Sequence, residues 1–192
     1  TSYEFVAWST DSTLILLKLQ DPQAGVIFQV RDAKTGEIFK AGNKPAVFPS
    51  QNAPNSDEER KFIKQLINGK VKVDGQPVKF DQPGVAEATH PVKTDIMLML
   101  GQKGDKLVVM GIRGDKASKY HSFDLLKDKK GVVAKASQKA LIWDNDGKNV
   151  CIIYNQKLES ADTPFDGDFF EVLPFKSYKV KGGSDDKEGG GE

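Results

Sequence analysis

One cysteine and two histidines are all that this 192-residue chain offers for thiol or imidazole chemistry. A lone thiol, Cys151, excludes an internal disulfide and a cysteine-based zinc site. It stands within the apolar run Val150-Cys151-Ile152-Ile153-Tyr154, which predicts a buried, inert side chain. His90 and His121 are too few and too far apart to predict a metal site. Long hydrophobic runs are missing as well. The longest, around Leu14–Leu17 and Ile96–Leu100, suit strands and fall short of the roughly 18 residues of a membrane helix, so no membrane partner is expected. A dominant charge is lacking too, since 28 Lys plus Arg stand against 27 Asp plus Glu, and a net charge of +1 argues against strong overall attraction to nucleic acid or anionic membrane. No hydrophobic leader opens the chain, and Thr1 stands where an initiator methionine would, so a processed or trimmed terminus is expected.

What the chain does contain is short apolar runs punctuated by Gly, Asp and Lys. Ile96–Leu100 and Leu107–Ile112 flank Gly104-Asp105-Lys106, and Gly114-Asp115-Lys116 follows. Ala140–Trp143 and Val150–Tyr154 flank Asp144-Asn145-Asp146-Gly147. Such punctuation predicts strands joined by tight turns. Four more strands are expected early, at Tyr3–Trp8, Thr13–Leu19, Val26–Val30 and Glu37–Lys40, with a small hairpin at Val71–Val73 and Val78–Phe80. Both faces of Ile96–Leu100 are apolar, which predicts a central strand or one covered on both sides. Ser56 with Glu59, followed by Phe62, Ile63, Leu66 and Ile67, predicts one amphipathic helix over about 57–68. The fold class is therefore mainly β (α+β), an antiparallel sheet or barrel-like meander. A single domain is expected over 1–181, with a sub-boundary in the proline-bearing loop 81–94 and a flexible, Gly-rich, weakly acidic tail at 182–192.

Several motifs invite chemistry. Asp144-Asn145-Asp146-Gly147 carries hard oxygen ligands, but its glycine comes at position four and no helices flank it, so a hairpin turn is the better reading than a calcium loop. Asp162, Asp166, Asp168 and Glu171 form a second acidic group, read as a polar connection. Arg113-Gly114-Asp115 spells an attachment tripeptide between two strands, Thr1 could act as an N-terminal nucleophile, and His121-Ser122-Phe123-Asp124 holds triad residue types that a strand would point to opposite faces. None of these amounts to a catalytic or cofactor motif. The expectation is a protein without enzymatic activity, metal or cofactor.

Charge distribution is more informative. Between Gly101 and Ala140 ten cations face four acids, a local excess of +6. Here Lys116, Lys119, Lys127, Lys129, Lys130 and Lys135 interleave with Tyr120 and Phe123. Cations that follow phosphates beside rings that stack on bases are what single-stranded nucleic acid requires. Alternation would set Phe123 and His121 on one face and Tyr120 on the other. Trp143 is a further stacking candidate. The segment Tyr120–Ser137 (YHSFDLLKDKKGVVAKAS) resembles the aromatic strand, basic turn and basic strand of PUR-type single-stranded nucleic-acid-binding repeats, and the opening order of four strands then a helix is similar to their topology. The resemblance covers under a tenth of the chain and carries no site residue across. The leading expectation is thus a nucleic-acid-binding protein that prefers single strands. The alternative is a structural or assembly subunit of a larger particle, contacting protein partners or further copies of itself.

Overall fold

A computed structural model of the chain describes residues 1–41, 44–49, 57, 61, 64, 72–73 and 76–176. These residues form two compact units, Thr1–Gly84 with Phe170–Val172, and Val85–Phe169 with the chain from Leu173.

The first unit is built on β1 (Ser2–Ser9), β2 (Leu14–Asp21) and β3 (Gly25–Asp32), followed by the short β4 (Lys40–Ala41), β5 (Lys44–Pro45), β6 (Val47–Pro49), β7 (Lys72–Val73), β8 (Gln76–Pro77) and β9 (Phe80–Gln82). Five of these make a sheet in the order β6-β3-β2-β1-β9. Alternation on β3 does what the sequence implies: Val26, Phe28 and Val30 turn inward and join Ala7, Leu14, Leu16 and Phe80 in a core. Of the expected strand at Glu37–Lys40, Ile38 makes an isolated bridge to Arg31 and β4 begins only at Lys40.

No helix stands among the described elements. The amphipathic helix expected over about 57–68 lies almost wholly outside the described residues. Asp57, Lys61 and Lys64 are described there, with helical backbone and exposed side chains, and three separated positions make no element. The tail at 182–192 also lies outside the described residues.

The second unit is a half-barrel of two three-stranded sheets. One is the antiparallel meander of β10 (Ile96–Lys103), β11 (Lys106–Arg113) and β12 (Lys116–Asp124); the other is β13 (Lys135–Trp143), β14 (Asn149–Leu158) and β15 (Phe165–Pro174). Lys103 pairs with Lys106 and Arg113 with Lys116, so Gly104-Asp105 and Gly114-Asp115 are two-residue hairpin loops. Gly104 has φ 60° and Gly114 φ 62°, while neither aspartate has positive φ. Positive φ at the first loop position alone is the type II′ turn, whose twist matches the flanking strands and which needs glycine there. Ile96, Leu98, Leu107, Val109 and Phe123 from the first sheet meet Leu141, Trp143, Val150, Ile152, Tyr154 and Leu173 from the second in one buried cluster.

Side chains staple both seams of this half-barrel. Gln102 Nε2 donates to Ala134 O at 3.0 Å while its Oε1 accepts from Ala136 N at 2.9 Å, which copies a peptide group between β10 and β13. At the other seam the Tyr120 hydroxyl donates to Pro174 O and accepts from Lys176 N. One expectation needs correcting. β10 is not central but lies at the end of its sheet order, and Met99 on its outer side is 52% exposed. Its second apolar face is therefore not explained by burial.

Candidate interaction surface

The expected binding residues are not gathered on one face. Phe123 is only 9% exposed, its ring stacked on Tyr154 within the core at 6.0 Å. A bulge between Val109 and Met110 breaks the register where Tyr120 sits. Tyr120 therefore packs on the core side against Phe175 at 5.3 Å, instead of opposite Phe123. His121 stays exposed on the strand. Trp143 is wholly buried, its Nε1 donating to Glu87 O at 2.9 Å.

The lysines divide between two ends of the sheet. Lys116 sits at the Gly114 turn, about 23 Å of strand rise from Lys106. Lys119 lies between, opposite Met110. At the other end, Lys127 pairs with Asp105, Lys106 with Asp124 at 2.5 Å, and Lys130 with Asp162 at 3.6 Å. The hydrogen bond from Lys127 and its charge hold the Asp105 carboxyl below the usual range. Asp128 turns inward to accept from Lys130 N and Val132 N, closing its own loop. Lys103, Lys129 and Lys135 remain at this end as exposed cations with no acid partner among the described residues.

The other motifs are absorbed by the fold. Asp144 is buried, its oxygens taken by Lys148 N at 2.8 Å and Asn149 Nδ2 at 3.1 Å in a turn closed by Gly147. Asp168 is paired with Lys139, and Asn155 donates to both Asp166 and Asp168. Among the described residues no His, Cys, Asp and Glu group could hold a metal ion. Arg113 of the attachment tripeptide is 3% exposed, its Nε 3.2 Å from Asp95. Thr1 Oγ1 donates to Asp21 at 3.2 Å, and Cys151 is buried.

What sequence reasoning missed is the outer face of β10–β11–β12. Because successive side chains alternate, the residues that leave the core lie together on the opposite side. The register aligns them in rows: Met97–Ile112–Ala117, then Met99–Met110–Lys119, then Gly101–Val108–Ser122, then Lys103–Lys106–Asp124. All three methionines of the chain fall on this face. Met97, Met110, Val108 and Ile112 are half-buried and Met99 is exposed. The signal was present as Met97 and Met99, two positions apart on β10 and alternating with the core residues Ile96 and Leu98. Contiguous exposed apolar side chains rimmed by polar ones mark sites of association. No family model, curated protein or solved structure matches the chain.

Proposed function

We propose that this chain is a non-enzymatic assembly subunit that docks a partner protein on the outer face of β10–β11–β12. The observation that carries the reading is the placement of Met97, Met99 and Met110 together on one accessible sheet face. Methionine is flexible and polarisable, so such a surface adapts to an apolar partner. Core filling gives no reason for it, because the core lies on the other side of the same strands. Peroxide footprinting with mass spectrometry tests the reading: in the native assembly all three methionines should oxidise several-fold more slowly than in the isolated chain. Equal rates in both would remove it.

A second reading keeps single-stranded nucleic acid as the ligand, held through phosphates and not by stacking. It is favoured by the exposed Lys103, Lys129 and Lys135, which have no acid partner among the described residues. Three phosphate contacts on a single strand predict a slope of about −2 in log affinity against log salt. A filter-binding titration with no retention of oligonucleotide at low salt would discard this reading.

A further inference from the structure

We infer that the docking face takes an acidic amphipathic helix, lying across the strands in a trough floored by Gly101, Val108 and Ser122. This rests on the assembly reading and names the chemistry of its partner. The three floor residues form one row of the register, and their side chains are short. On one side stand Met99, Met110 and Lys119; on the other, Lys103, Lys106 and Asp124. Along β10 and β11 these walls are four residues apart, about 13 Å, and a helix with its side chains is about 10–12 Å across. A helix seated there would turn apolar residues to the methionines.

Charge decides which helix fits. Lys103 and Lys119 are exposed without an acid partner among the described residues, and the one acid on the face, Asp124, is held by Lys106. The walls therefore present uncompensated positive charge from both sides, and complementary potential favours acidic flanks on the occupant. A second copy of this face would bring the same free cations together. The chain's own 182–192 segment is acidic but carries no apolar side chain for the methionine wall.

Gly101 supplies the decisive feature. It has no positive φ, and an added Cβ would meet nothing within 4 Å. The fold therefore does not require glycine there, and strand glycine is weakening. Its absent side chain does keep the trough open.

The test uses a fluorescein-labelled synthetic amphipathic helix of Leu, Ala and Glu, and its counterpart with every Glu replaced by Lys. Fluorescence anisotropy should show the Glu helix binding the full chain, with the Lys helix at least tenfold weaker. Gly101→Val should weaken the Glu helix tenfold or more while thermal stability holds or rises, and Lys103→Glu should weaken it as well. Equal binding of both helices, unchanged binding by Gly101→Val, or no binding of the Glu helix at about 1 mM would overturn the inference. If the methionines are nevertheless protected in the native assembly, the docking reading stands with another occupant. Light scattering that rises with concentration would identify it as a second copy. Absence of that protection removes the docking reading itself.

Discussion

The two faces of β10–β11–β12 share one backbone and differ in everything else. Inward, Ile96, Leu98, Leu107, Val109 and Phe123 are buried against the facing sheet. Outward, Met97, Met99, Val108, Met110 and Ile112 are as apolar in kind but remain accessible to solvent. Hydropathy along the strand cannot separate these two, because it records transfer preference and not what covers a side chain. Burial of the inner set contributes stability in proportion to the apolar area withdrawn from water. The outer set contributes little until something covers it.

The sharpest way to break this contrast is Phe123→Ala. As a core residue stacked on Tyr154, Phe123 should cost about 3–5 kcal/mol when truncated, read as a lower urea midpoint. A variant that stays fully stable while losing oligonucleotide binding would return Phe123 to a stacking role and undo the assignment of faces. Next in size is Gln102→Ala at the β10–β13 seam. It removes the two hydrogen bonds across the seam and a third to Gly104 O, each worth about 0.5–1.5 kcal/mol, and should leave docking on the outer face unchanged.

Much of the fold was legible in the residues because it is local. Gly104 and Gly114 announce hairpins through a backbone conformation that glycine adopts freely, and short apolar runs between turn residues placed β1, β2, β3 and β11. What was not legible is non-local. A single bulge at Tyr120 shifts which side its ring takes, and no residue type there announces it. The basic character of 101–140 is lowered by Asp162, which lies far along the chain and reaches Lys130 only through the fold. Asp105 and Asp124 sit within the window, yet only their geometry shows that they are engaged with Lys127 and Lys106. The methionine face was misread because two apolar sides on one strand suggested two covering layers, and only one layer lies against β10 in its core.

A pH-dependent effect should separate the core side from the outer face again. His90 is buried between Trp143 and Phe175, and its Nδ1 accepts from Val92 N at 3.1 Å and Lys93 N at 2.8 Å. The proton therefore sits on Nε2, which donates to Gly147 O at 2.9 Å. Burial, with the nearby Lys93 charge, holds the imidazole below its ordinary 6.5, against the opposing pull of the Gly147 bond, Asp144 and Asp95. The unfolded chain then takes up this proton at higher pH than the folded one. Stability from this group is full above about pH 6.5 and declines as pH falls toward the lower folded value. Urea midpoints measured from pH 7 to 5 should fall less steeply in His90→Gln than in the parent. An identical slope would show that His90 carries no such linkage.

The smallest stability change, and the one that bears most on function, is expected from Met99→Ser combined with Met110→Ser. Neither side chain belongs to the buried cluster, so the pair should move the urea midpoint by no more than about 0.5 kcal/mol equivalent. Binding of the acidic amphipathic helix should nevertheless drop tenfold or more, because one wall of the trough becomes polar. A loss of several kcal/mol would mean that these methionines are packed as a core is packed, and the outer face would then be a second interior. Unchanged stability with unchanged binding would leave the methionines as surface residues without a docking role. Only the combination of intact stability and lost binding fits strands that are built inward for folding and outward for assembly.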